Sequence, residues 1–399
     1  MTFYLNKALR NSLLLLLGLY FAQGAFYPTG SVIAKLFLLF ILLISSFYFI
    51  KSLLEKRVRK VFFYYAWGAL LLVNTFGFFL EGNFGGIYLA QYRNILTALL
   101  PFFPFYYFAS RGNLTDKHLR YFSLIMLPIF IASFFSSRND LISQSVNNTE
   151  NVVTNTAYLF VALIPYVFLW VKQKLIAIAG MLLLLFFIIQ GAKRGALIVA
   201  LMGCLVFVYY LLSSVEPKKR VQGFLLVLVG IGLLSMYVYD FYISNEFLIN
   251  RMQKISDGGS GRGFIYLNLL NNWYESNSII NYLFGFGFVS TIKYSGSGHL
   301  AHNDWLELLT NFGLIGVSIY FLVFYAAVRF IYDSSVQKEY KLIMLAIVLM
   351  WFFQTLFSMY YTSSQTAFTS ILLGYLFGSH QYNKKDKIHT QADYKRKWQ

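Results

Sequence analysis

Runs of roughly twenty apolar residues, each closed off by charged or turn-forming clusters, recur along most of the chain. A run of that length is what an α-helix needs to cross about 30 Å of hydrocarbon. The pattern predicts twelve helices, near residues 9–26, 31–50, 61–80, 88–109, 119–136, 153–171, 174–190, 194–212, 222–241, 304–328, 342–359 and 364–380. One connection is long: residues 242–303 are polar, rich in Gly, Ser and Asn, and still carry aromatic side chains. The expected organisation is nine transmembrane helices over 1–241, a large outer loop with an amphipathic helix over 242–303, three more transmembrane helices over 304–383, and a basic tail over 384–399. Lys7 and Arg10 ahead of Leu13–Leu17 look like the start of a secretory signal, but no small-x-small cleavage site follows. The first run is therefore expected to stay as a helix.

Composition strengthens this picture. The 399 residues are 58% apolar and 20% aromatic, with 12% charged, whereas a water-soluble domain carries about 25% charged residues. The single Cys204 excludes an intrachain disulfide and a cysteine-based zinc site. Thirty-three Lys and Arg against 16 Asp and Glu give a net charge of +17. In a soluble chain such an excess would suggest nucleic acid. In a membrane protein it is first a question of sidedness.

With the N-terminus in the cytoplasm, the inner connections collect Lys51, Lys56, Arg57, Arg59 and Lys60, then Arg111, Lys117 and Arg120, then Lys172 and Lys174. Later inner connections hold Lys218, Lys219, Arg220, Arg329, Lys338 and Lys341, and the basic tail follows. The positive-inside rule thus predicts an even number of spans with both termini cytoplasmic. Lys35, Arg93, Arg138, Lys193, Arg194, Arg251, Lys254, Arg262 and Lys293 fall on or near the outer face. Lys193 and Arg194 break the rule, because they occupy a connection of a few residues at Gly191–Arg194. Position alone leaves two readings of them open, snorkelling to headgroups and a functional site.

The outer loop carries the densest chemistry. Ser260-Gly261-Arg262-Gly263 precedes Phe264, Leu267, Leu270 and Tyr274, a stripe that predicts an amphipathic helix on the membrane with Ser260 as its N-cap. Arg262 in its first turn is either an interfacial arginine or a planar fork for phosphate oxygens. Phe284-Gly285-Phe286-Gly287-Phe288 lacks the third glycine and flanking strand of a dinucleotide site, so a structural turn is expected. His302, in Ala301-His302-Asn303-Asp304-Trp305, sits where the tenth helix should begin. A neutral imidazole there can take a proton from a sugar hydroxyl, with Asp304 or Glu307 to orient it. A histidine that merely caps the helix is the alternative. His299 and His302 have no third strong nitrogen or sulfur ligand at a recognised spacing, and no Asp-x-Asp pair lies on the outer face. No metal and no cofactor are therefore expected, and a departing diphosphate would have to be neutralised by arginines. The Asn-x-Thr matches at Asn113 and Asn147 carry no weight.

In their order and shared outer location, Lys193-Arg194-Gly195, Ser260-Gly261-Arg262, Phe284-Gly285-Phe286-Gly287 and His302-Asn303, followed by Gly313 and Gly316, resemble the bacterial O-antigen polymerase and O-antigen ligase superfamily. The likeness covers the second half of the chain, and the first half only through its helix count. Ligases often carry Gly, Thr or Tyr at the position filled here by Ile319.

The resemblance implies an all-α, GT-C-like helical bundle in the bacterial inner membrane with its active face in the periplasm. The implied activity is a metal-independent glycosyltransferase acting on undecaprenyl-diphosphate-linked glycans, with a chain-length regulator and membrane lipids as partners and no nucleic acid. Arg194 and Arg262 would hold the diphosphate and His302 would act as base. Lys193, Asn303, Asp304, Trp305 and Arg93 complete the expected substrate-binding set. The Ser-Gly-Arg and His-Asn-Asp-Trp forms favour the polymerase, with the ligase as the alternative. A transporter or flippase is the rival of another class, but transporters commonly show inverted repeats and midplane charges, and the chain shows no repeat.

Overall fold

A computed structural model describes residues 2–26, 31–56, 58, 60–144, 153–216, 218, 220–243 and 262–396. The described residues are helical, with no strand among them. In chain order the helices are α1 (Thr2–Phe26), α2 (Val32–Leu54), α3 (Phe62–Glu81), α4 (Gly86–Leu99), α5 (Phe102–Ser110), α6 (Asp116–Gln144), α7 (Ala157–Val167), α8 (Lys174–Gln190), α9 (Arg194–Ser213), α10 (Arg220–Ile243), α11 (Arg262–Tyr274), α12 (Ile279–Phe284), α13 (Thr291–Tyr294), α14 (Asp304–Tyr332), α15 (Lys338–Phe357) and α16 (Thr366–Arg396). Each of the twelve apolar runs is helical. Six helices are long and apolar enough to cross a membrane: α2, α3, α6, α9, α14 and α15. That is the character of a multi-pass membrane protein.

Several runs are shorter or more broken than the sequence predicts, and proline explains two of them. The run at 88–109 divides into α4 and α5 at Leu100–Pro101. Proline has no N–H to donate and its ring crowds the preceding turn, so carbonyls next to the break need other donors. Trp67 Nε1 donates to the Leu99 carbonyl at 2.9 Å, and the Ser370 hydroxyl takes that of Ala98. The run at 153–171 yields only an eleven-residue α7, with Pro165 inside, continued by a 3-10 turn over Phe168–Trp170.

The chain divides into two compact units. The first comprises Met1–Phe130, Ser318–Val348 and Tyr361–Gln399. Its centre is α5, all nine residues of which are buried, packed on α16. A Cβ on Gly374 would lie 2.6 Å from the Phe102 carbonyl oxygen, and one on Gly378 would lie 2.6 Å from that of Tyr106. Two glycines four residues apart thus let the backbones touch, the device that membrane helices use to pack without a hydrophobic driving force. Phe63, Trp67, Phe102 and Phe377 fill the space around them.

The second unit comprises Ile131–Val317 and Leu349–Tyr360. Phe160 and Phe187 stack at 4.9 Å with Phe134 edge-on to both. Gly203 brings α9 against α7 and α15, since a Cβ there would lie 2.7 Å from both Ile164 and Met350. Every residue of the polar loop that the structure describes belongs to this unit.

Helix α14 is not one rod. Gly313 has φ 60° and ψ −153°, outside the helical region, in the middle of an apolar run. The break frees the carbonyls of Thr310 and Asn311, and the backbone N–H groups of Phe286 and Gly287 donate to them at 2.8 and 3.1 Å. The Asn311 carboxamide oxygen accepts from the Ser290 hydroxyl and the Thr291 N–H. The Phe-Gly-Phe-Gly segment is the expected turn, and its structural use is to complete this broken helix. Irregular backbone in a membrane helix survives only where protein or water satisfies it.

Candidate functional site

The site is built at the ends of five helices, α8, α9, α11, α14 and α15, and those ends all lie within the second unit. Helix α8 closes at Gly191, and Ala192 adopts the left-handed φ of 51°. The chain then turns directly into α9, with Lys193 as N-cap residue and Arg194 as first residue. The Lys193 side chain makes no capping hydrogen bond to this helix end, and the first N–H groups of a helix favour an anion. Next to Arg194, Gly195 faces Tyr158. A Cβ at 195 would collide with the Tyr158 hydroxyl and lie 3.8 Å from the Phe357 Cβ, so the glycine admits a buried phenol to the start of α9.

Arg262 opens α11 and donates from Nη1 to the Phe357 carbonyl at 2.7 Å. Ser260 and Gly261, with the expected N-cap, lie outside the described residues. The helix has two apolar faces. Ile265 and Leu269 pack with Ala301, while the stripe Phe264, Leu267, Leu270 and Tyr274 stays exposed, as a helix at a lipid interface requires. The Asn268 amide donates to the Ser295 carbonyl at 3.1 Å and ties α11 to the turn after α13.

The segment that carries His302 is anchored at its other end by α14 and by the end of α15. Asn303 caps α14, accepting from Trp305 and Leu306 N–H at 3.0 and 3.2 Å. Its amide also donates to the Leu356 carbonyl at 3.4 Å. Trp305 Nε1 donates to the Thr355 hydroxyl at 3.1 Å, and buried Asp304 accepts from the Tyr360 N–H at 2.9 Å. Together with Arg262, these side chains hold residues 355–360, and Arg262 and Asn303 supply donors to carbonyls at the C-terminal end of a helix, where intrahelical donors run out.

His302 itself is exposed and has a φ of 53°, a left-handed conformation that costs a non-glycine residue about 1–3 kcal/mol and concentrates at functional sites. Glu307 holds the backbone just before it, accepting from the Ala301 N–H at 2.6 Å and from the Thr291 hydroxyl at 2.8 Å. Partial desolvation by surrounding protein holds the imidazole below its ordinary value, and the positive charges of Arg262 and then Lys193, with the nearby His299 ring, add to this. Burial pushes the neighbouring Tyr266 phenol up, against the pull of Arg262 and of hydrogen bonds with Asn303 and Arg262.

The structure thus gathers Lys193, Arg262, His302 and Asn303, with Arg194 adjoining through Gly195, from positions up to 110 residues apart. Asp304 grips the Tyr360 N–H, Glu307 grips the Ala301 N–H and the Thr291 hydroxyl, and the Arg262 and Lys193 charges act on His302. Arg93 lies on α4 of the first unit, near Tyr20, with its Nε buried and without a hydrogen-bond partner. Among the described residues, no three His, Cys, Asp or Glu side chains are grouped as metal ligands. Tyr158 and the 355–360 segment escaped the sequence reading. The polar stretch from Ser358 to Thr366 between two apolar runs was the available signal. No family model matches the chain, and no curated protein matches it either.

Proposed function

We propose that the protein is a glycan polymerase of the O-antigen type, which transfers a growing chain from undecaprenyl diphosphate to another lipid-linked repeat unit. The observation that carries this reading is the convergence of Arg262 and Lys193 on the imidazole of His302, beside the helix start at Arg194. A base among fixed cations is what a metal-independent displacement of a diphosphate requires. In this reading the polymerase has twelve crossings, both termini in the cytoplasm and its active face in the periplasm.

His302 takes the proton of the acceptor hydroxyl, whose oxygen attacks the anomeric carbon. The bond from that carbon to the diphosphate oxygen breaks on the opposite face, with inversion. Arg194 and Arg262 neutralise the charge that grows on the leaving group, and planar bidentate forks suit phosphate oxygens. The depressed basicity of His302 keeps it neutral and able to accept a proton at neutral pH. Asn303, Asp304, Trp305 and Glu307 serve as positioning residues that fix the backbone on both sides of it.

The test is deletion of the gene followed by complementation with His302, Arg194 and Arg262 variants, read as the lipopolysaccharide ladder on a gel. The polymerase reading expects lipopolysaccharide that carries a single repeat unit. Lipopolysaccharide without any repeat, together with accumulated lipid-linked polymer, would indicate the ligase. An unchanged ladder would overturn both.

A further inference from the structure

The first unit contains a groove that the proposed reaction does not use. Helices α1 and α6 lie side by side around a cavity of about 380 Å³, with Leu14, Gly18 and Ala22 on one wall and Tyr121, Ile125 and Ile129 on the other. Asn11 and His118 mark one end and Ala22 and Ile129 the other, so the two helices run parallel. From residue 11 to 22 the groove extends about 16 Å at 1.5 Å per residue. Leu15, Leu19, Tyr121 and Ile125 on its rim are exposed, so it opens sideways, toward what would be lipid.

Only the Asn11 and His118 end is polar, and it offers donors. The Thr115 N–H donates to His118 Nδ1 at 3.2 Å, and the Thr115 hydroxyl lies 2.8 Å from the same atom. Neutral His118 therefore carries its proton on Nε2. The Asn11 carboxamide oxygen accepts from Arg10 Nε and Nη2 at 3.0 and 2.7 Å, which leaves its amide hydrogens available. Arg10 also donates to the Asn113 carbonyl. Arg10 and exposed Lys117 both bear on His118. The nearby Asp116 carboxylate is engaged by Arg120 and by the Lys117 N–H, both at 2.9 Å.

We propose that this groove is a binding site for an anionic phospholipid, its acyl chain between α1 and α6 and its phosphate against Asn11, His118, Arg10 and Lys117. Apolar walls with a donor-rich, positively charged mouth match that amphiphile, and the nearby Asp116 carboxylate is already paired.

Delipidated full-length protein in detergent is titrated with dioleoylphosphatidylglycerol or dioleoylphosphatidylcholine, and adducts are counted by native mass spectrometry. The expected result is a preference of roughly fivefold or more for the anionic lipid, the size of one favourable charge contact. Lys117→Gln should remove most of that preference, whereas Ala22→Leu, which fills the apolar end, should weaken both lipids alike. Gly18→Leu should act as Ala22→Leu does, and the latter decides if the former does not fold. Equal binding of the two lipids by the unaltered protein, indifference to Ala22→Leu, or selective retention of undecaprenyl phosphate over phosphatidylglycerol overturns the proposal.

Discussion

Arg262 donates from Nη1 to the backbone carbonyl of Phe357 at 2.7 Å, so the proposed diphosphate ligand is also the cap of α15. The two roles separate by substitution. Arg262→Lys can keep one N–H on the carbonyl but loses the planar fork. It should leave the thermal midpoint within about 2–4 °C and still lower the polymerisation rate about 10²–10³-fold. Arg262→Ala should lower both. A lysine variant with full activity would remove arginine from the mechanism.

His302→Asn separates base from backbone, because asparagine tolerates the left-handed φ of 53°. Loss of a general base should slow glycosyl transfer about 10²–10⁴-fold with little change in unfolding temperature. Transfer assayed in membranes with lipid-linked repeat units measures the first, and thermal denaturation the second.

The pH dependence has a definite sign. Partial desolvation and then the Arg262 and Lys193 charges hold His302 below its ordinary value, so the acid limb of the rate profile should fall below the usual histidine value of about 6.5. Because removing a positive neighbour favours the imidazolium, the residual activity of Arg262→Gln should show that limb shifted upward. A limb that stays put in Arg262→Gln would mean another group is titrating.

Gly285 and Gly313 support each other's backbone. A Cβ at 285 would sit 2.5 Å from the Asn311 carbonyl carbon, and one at 313 would sit 2.5 Å from that of Leu283, both at positive φ. Each alanine substitution should destabilise by about 2–4 kcal/mol, from backbone strain and overpacking together. The double variant should lose less than the sum. Unfolding midpoints in detergent give both comparisons.

Gly195→Ala should be poorly active, because its methyl group would strike the Tyr158 hydroxyl. Tyr158→Phe removes that oxygen and should restore much of the loss when combined with Gly195→Ala. If the double variant is no better than Gly195→Ala alone, the contact does not shape the site.

Much of the helical architecture is written in the order of residues. Runs such as Leu13–Leu17 and Ala177–Ile189 have no low-energy place in water and few ways to satisfy their backbone except as helices. Two cations stood out as well, since Lys193 and Arg194 interrupt a pattern that otherwise excludes them. The anchors were not visible. Asp304 finds its partner at Tyr360 and Trp305 finds its own at Thr355, about fifty positions away, and spacing carries no trace of such pairs.

Hydropathy along the chain, then, determined which segments leave water and where cations stand out of place, because those are properties of each residue and its near neighbours. Only the tertiary structure decided where α14 breaks, what holds residues 355–360, and that two distant cations, Lys193 and Arg262, share one imidazole. A buried polar group must be satisfied by whatever the fold brings within about 3 Å, and that partner is chosen in space and not in sequence.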